Sequence, residues 1–193
     1  MTNNPEIEIK KTELLSDNWY LLNKVTYTYN HDNKLETHIR EVYDRGNGAA
    51  ILLYNSIKKT VILTRQFRLP TFLNGNQSGM MIEVCAGLLD EDNPEDCIIR
   101  ETEEETGYRL KKVEKVVQTF MSPGAVTEIL HLFTGEYDES MKVNDGGGLD
   151  HEQEHIEVLE LTFDEAYQMI FKGEICDAKT IILLQHAKIK GFI

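Results

Sequence analysis

Basic residues are scarce in this chain of 193 residues: Lys and Arg together number 20 against 33 Asp and Glu, a formal net charge of −13. That shortage argues against gripping nucleic-acid phosphates or anionic membranes by net charge. Cysteine is scarce too. Cys85, Cys97 and Cys176 are widely spaced, with no CxxC pair and no His/Cys cluster of zinc-site spacing, and such usage fits a reducing compartment. No apolar run approaches the roughly 20 residues needed to span a bilayer. Residues 1–6 carry neither the basic nor the apolar segment of a secretory signal, so the expectation is a cytoplasmic protein without a membrane or nucleic-acid partner. No internal repeat and no Ser- or Pro-rich linker divides the chain. What it does have is 41% hydrophobic residues, enough at this length for one domain, or one domain with a small appendage. The surplus of acids leaves room for a small phosphorylated substrate, because a bound divalent cation inverts the local field of a carboxylate site.

Strand signals dominate the first half. Trp19–Tyr29, Ile39–Tyr43, Ala49–Tyr54 and Thr60–Phe67 are rich in β-branched, aromatic and apolar residues, and turn-forming residues separate them at 30–33, 46–48 and 55–59. A loop at 74–79 precedes the apolar run Met80–Val84. After Gly87 the character changes: Asn93-Pro94-Glu95-Asp96 combines a good N-cap, a proline suited to the first helical position and acids suited to the first turn, and Gly107 is a natural stop. Strands are expected again at Lys112–Met121, Ile129–Tyr137 and Ile156–Leu161, and helices at Phe163–Lys172 and Ala178–Lys190.

The helix after Asn93 carries Glu101, Glu104 and Glu105 at i, i+3 and i+4, three carboxylates on one face within a turn. Like charges so spaced repel by roughly 0.2–0.5 kcal/mol per pair. Arg100 relieves part of this through an i, i+4 pair with Glu104. Spacing alone leaves two readings open: a solvated acidic face, or a site for a hard cation such as Mg²⁺, which prefers carboxylate oxygens and is commonly shared with substrate phosphates.

The order apolar strand, Ala86-Gly87, acidic loop, capped helix, Arg100-Glu101-Thr102-Glu103-Glu104-Glu105-Thr106-Gly107-Tyr108 resembles the box of the Nudix hydrolases. Asn93 stands where the box has its first Glu, one residue is missing between it and Arg100, and Thr102 and Tyr108 hold aliphatic positions. The helical register from Arg100 onward is intact. The resemblance implies an α/β fold, a Nudix-type α/β/α sandwich with a mixed β-sheet (46–193) behind an N-terminal β-rich dimerisation region (1–45). It also implies Mg²⁺, or Mn²⁺ in its place, held by Glu101, Glu105 and the Ala86 carbonyl, with Glu104 assisting and Arg100 bracing the carboxylates. The implied chemistry is attack of water on a phosphorus of a nucleoside diphosphate linked to another group.

Outside the box, Met121-Ser122-Pro123-Gly124 followed by Glu128, together with Arg40–Gly48, Arg65–Arg68, Cys85–Asp90 and Gly146–Gly148, is similar to the nucleotide-sugar and ADP-ribose pyrophosphatases of this family. That resemblance implies GDP-mannose as substrate, ADP-ribose as the alternative, and a homodimer. It implies that Trp19, Arg40, Glu41, Arg68, Gly87, Leu88, Glu128, Gln153 and Lys179 lie along the substrate. From the residues alone Trp19 reads more often as core, and Arg40, Arg68 and Lys179 more often as surface charges. The acidic Gly-rich segment 144–155 would bring a further metal ligand or base, Glu154 before Glu152, while His151 and His155 read as exposed. A non-catalytic nucleotide-binding module of the same fold is the remaining alternative, prompted by Asn93 and the shortened box.

Overall fold

The computed structural model describes residues 4–89, 93–149 and 154–192. Its chain divides into two compact units, one of residues 1–47 and 120–129, the other of residues 48–119 and 130–193.

In the first unit three long strands, β1 (Glu6–Asp17), β2 (Leu21–His31) and β3 (Lys34–Asp44), form an antiparallel meander. The β2–β3 hairpin turns on Asp32-Asn33 with φ of 50° and 63°, the left-handed pair that a two-residue loop requires and that Asp and Asn tolerate. His38 lies between Tyr27 and Tyr29, ring centroids 5.4 and 5.3 Å away. Ile7, Ile9, Leu14, Leu15, Leu35 and Ile39 are all exposed. Residues 120–129 join this unit through Tyr43, whose N–H donates to the Ala125 carbonyl (2.8 Å) and whose carbonyl accepts from Thr127 (3.1 Å).

The second unit is built on a mixed sheet of β4 (Gly48–Asn55), β5 (Thr60–Phe67), β8 (Glu114–Phe120), β9 (Ile129–Glu136) and β10 (Glu157–Thr162), in the order β10-β5-β4-β9-β8. Only β4 and β9 among the registered pairs run parallel. Strands β4 and β5 pair over just Leu53–Asn55 and Thr60–Ile62 and then diverge. Two short strands occupy the fork: β6 (Met80–Glu83) pairs with β5 and β7 (Cys85–Leu88) with β4, so the chain crosses from one side to the other at Val84. Helix α2 (Pro94–Thr106) covers one face, where Ile98 packs with Ala49, Ile51, Leu53, Cys85 and Phe133. Helices α3 (Phe163–Lys172) and α4 (Ala178–Lys190) complete the third layer, burying Phe163, Ala166, Leu183, Leu184 and Ala187. Each of the three helices has a capping side chain, Asn93, Thr162 or Asp177, and ends at a left-handed glycine.

The observed elements follow the sequence expectation with four additions, two of them the short strand β7 and a single 3-10 turn at Glu139–Met141. Strand β1 lies before the first expected strand, and a single-turn helix α1 (Leu69–Leu73) lies in the segment after Phe67. Strand β3 also starts five residues before Ile39. Strands β1 and β3 are largely exposed on both faces, so such alternation as they carry marks no buried side. No helix among the described residues is long and apolar enough to cross a membrane.

Candidate active site

The box residues converge where β7 meets α2. Asn93 accepts hydrogen bonds from the N–H groups of Glu95 and Asp96 (both 3.0 Å), starting the helix so that Glu101 and Glu105 come round onto its sheet-facing side. The position occupied by Glu in the wider box is here a helix cap. The Leu88 carbonyl accepts from the Cys97 thiol at 3.1 Å, which ties the end of β7 to the first turn of α2. Gly87 is required by proximity: a Cβ there would lie 2.2 Å from the Glu101 carboxyl carbon. Arg100 Nη1 is 3.0 Å from both a Glu101 and a Glu104 oxygen, so one guanidinium braces two of the three carboxylates.

The third carboxylate is in a different state. Glu105 is 2% exposed and accepts from the Ala86 N–H at 3.3 Å and from the Cys85 thiol. Burial, followed by the negative charges of Glu154 and Glu101, pushes its pKa up to about 8 against the donors' opposing pull. The neighbouring Cys85 thiol is pushed up as well, first by burial and then by Glu105.

The Gly-rich segment docks on the C-terminal turn of the same helix. Gly147 N–H donates to the Glu105 carbonyl (2.9 Å), Gly148 N–H to the Glu104 carbonyl (3.2 Å), and the chain returns with Ile156 N–H on the Gly147 carbonyl (3.1 Å). Gly148 has φ of 81° and stands where a Cβ would meet a Glu154 carboxylate oxygen at 2.6 Å; that oxygen accepts from Leu149 N–H at 3.3 Å. The loop thus delivers Glu154 within electrostatic reach of Glu105. Gln153, Glu152 and His151 lie outside the described residues.

Two further expected site residues, Arg68 and Lys179, meet at the fork between β4 and β5. Glu83, at the end of β6 and 5% exposed, takes Arg68 Nε on one oxygen and Lys179 Nζ on the other, each at 2.7 Å. Burial alone would raise its pKa, but the attraction of Lys179 and Arg68 outweighs burial and holds it below the ordinary carboxylate value. Lys179 also pairs with Asp177 at 3.0 Å, and Thr180 Oγ1, bonded to Asp177, accepts from Val84 N–H at 2.8 Å. The remaining candidates belong to the first unit. There Trp19 is 85% exposed, so it is no core residue; Arg40 and Glu41 lie exposed on β3, and Glu128 pairs with Arg45 at 3.5 Å.

Sequence reasoning missed Glu83, Asp177 and the Cys85 hydrogen bond. Glu83 did leave a signal: a lone acid inside the apolar run Met80–Val84 must be buried, and a buried carboxylate needs cations that come from elsewhere in the chain.

Among the described residues no three His, Cys, Asp or Glu side chains form a finished cage for a metal ion. The donor set nevertheless fits a hard divalent cation. Such an ion takes one or two protein carboxylates and completes its shell with water and substrate phosphate, and Glu105 is a buried acid beside two other acids. A cation there would offset the burial and the repulsion that keep it protonated.

Residues 6–43 match the family model described as the GDP-mannose pyrophosphatase NudK N-terminal domain, and residues 44–184 match the NUDIX domain model. The chain is 57% identical over 187 residues to a GDP-mannose pyrophosphatase of Pectobacterium atrosepticum, covering 96% of each protein. It is 53% identical over 188 residues to that of Cronobacter sakazakii, covering 97% of each. With the Escherichia coli protein of the same name it shares 54% over 182 residues, 94% of each. Nudix hydrolases generally use divalent metals.

Proposed function

The chain belongs to the Nudix hydrolases, and on that premise we propose that it cleaves the pyrophosphate bridge of a nucleotide sugar, converting GDP-mannose and water to GMP and mannose 1-phosphate. The observation that carries the reading is the buried Glu105, set against Cys85 and Ala86 and within the field of Glu101 and Glu154. Mg²⁺, or Mn²⁺ in its place, is the cofactor of this reading; Glu101, Glu105, Glu154 and the Ala86 carbonyl would hold it. When bound it neutralises phosphate charge and lowers the pKa of water. Arg100 keeps Glu101 and Glu104 in place despite their repulsion, and Glu104 supports the same face. Glu154, on the loop, accepts the proton as the water oxygen bonds to one phosphorus and the bridging P–O bond breaks; the other phosphate leaves with the bridging oxygen.

Along the substrate, Trp19 offers a ring to stack on the base, and Arg40 and Arg68 offer guanidinium forks to phosphate. Glu41, Glu128, Gln153 and Lys179 supply polar contacts, and the backbone at Gly87 and Leu88 lines the approach. Residues 1–45 serve dimerisation and 46–193 catalysis, a division supported by the abutting of the two family matches at 43 and 44. The exposed apolar side chains of the N-terminal sheet support a homodimer, which light scattering checks: a monomer contradicts it. Three free cysteines are consistent with the cytoplasm.

The test is incubation with a panel of nucleotide sugars and ADP-ribose, with Mg²⁺, Mn²⁺ or chelator, and chromatography of the products. Metal-dependent release of GMP and mannose 1-phosphate from GDP-mannose ahead of the others is expected. Preferred hydrolysis of ADP-ribose overturns the substrate, and turnover of nothing overturns the enzyme.

A further inference from the structure

We propose that Glu83 is a positioning residue for substrate binding: its two carboxylate oxygens clasp Arg68 and Lys179 and thereby present the terminal nitrogens of Arg68 to a phosphate of the nucleotide sugar. The inference rests on the reading of Arg68 as a substrate residue given above.

Arg68 is held at its backbone and at Nε. Its N–H donates to the Gly79 carbonyl (2.8 Å), its carbonyl accepts from Thr71 (3.1 Å) and Phe72 (3.2 Å), and its Nε is held by Glu83 at 2.7 Å. Among the described residues its terminal nitrogens make no hydrogen bond, and the side chain is 40% exposed. A guanidinium held by Nε and open at its terminal nitrogens is ready to receive an anion without losing further rotamer freedom. Lys179 is held by two acids. It lies 2.7 Å from Glu83 and 3.0 Å from Asp177, so Arg68 and Lys179 on one side and Glu83 and Asp177 on the other form a balanced set of charges. Such a set exerts little net pull on an anion, and its contribution is direction. Thr180, bonded to Asp177, holds the Val84 N–H at 2.8 Å and anchors Glu83 to the start of α4.

Balance and direction give opposite signs on substitution. Glu83→Gln raises the local charge by one. If net charge governed binding, KM for the anionic substrate would fall; if Glu83 orients Arg68, KM rises by about tenfold with kcat nearly unchanged, the effect of losing a charge-assisted bond used alike in ground and transition states. Glu83→Asp keeps the charge but is too short to reach both cations, and a smaller rise is expected; it decides the matter if Glu83→Gln does not fold. In an Arg68→Gln background the Glu83→Gln effect on KM should vanish, because the two act through one contact. A purely structural cluster would lower Tm in both variants and leave KM alone, which overturns the proposal, as does a fall in KM. Each ratio is measured on whichever nucleoside diphosphate sugar the wild type turns over. If it turns over none, the substrate reading fails, and calorimetric binding of inorganic pyrophosphate to the same variants still decides the role of Glu83.

Discussion

Two buried glutamates, both under one-tenth exposed and both beside the β6–β7 crossing, titrate in opposite directions. Glu83 meets two cations supplied by the chain and is held below the usual range; among the described residues Glu105 meets only a backbone N–H and a thiol, with two acids nearby, and rises to about 8. Burial penalises both charges, so the difference lies in the partners. Where the fold completes a carboxylate with its own Arg and Lys, the product is a fixed scaffold. Where it leaves the carboxylate short of positive charge, the place suits a cation that arrives from solution.

The largest expected effect is on Glu105. Glu105→Gln keeps the shape and removes the charge, and kcat should fall at least about a hundredfold, the scale of losing a preorganised electrostatic contact. The fold should survive, since a neutral amide is cheaper to bury than a carboxylate. Assays beside circular dichroism check both, and full activity would remove Glu105 from the metal site. Next comes Gly87→Ala. A Cβ 2.2 Å from the Glu101 carboxyl must displace that side chain, and about a tenfold loss or more is expected in kcat/KM.

The pH response separates the two acids in a single protein. With chelator present, Glu105 holds its proton up to about 8 in the folded chain, while in the unfolded chain it ionises near 4.5. Between those values the folded state binds the extra proton, so stability declines with rising pH by about 1.4 kcal/mol per unit from this group and levels off above the window. Glu83 has the opposite sign: its stabilisation is present above the unfolded carboxylate value and is lost as pH falls through its lower folded value. Urea midpoints from about pH 2.5 to 9 should therefore show the Glu105 decline abolished by Mg²⁺ and by Glu105→Gln, with the acid limb at low pH unchanged by either. The smallest effect is at Asn93. Asn93→Ala removes two cap hydrogen bonds and should cost about 1 kcal/mol with kcat within about twofold; a large activity loss would give Asn93 a part in the chemistry.

Much of this comparison was legible in the chain. Asn93-Pro94 and Gly107 bound α2 because capping is local, and the i, i+3, i+4 acids share a face because helical geometry is local. Gly87 and Gly148 read as loop or box glycines, yet the reason for each is a side chain, Glu101 or Glu154, at a distance only folding reveals. Glu83 escaped for the same cause: its partners are 15 residues before it and 96 after it, and no spacing rule links them. Strand β1 escaped because neither of its faces is buried, so the short Glu6–Ile9 alternation marks no core side.

The most direct measurement is calorimetric titration of Mg²⁺ into the wild type and Glu105→Gln in two buffers of different ionisation heat, near pH 7 and near pH 9.5. A cation seated on Glu105 displaces its proton, so the wild type should release close to one proton per bound ion near pH 7 and almost none near pH 9.5, and Glu105→Gln should release none and bind weakly. Equal binding by both proteins, with no proton released near pH 7, would contradict the seat of the metal and the chemistry built on it.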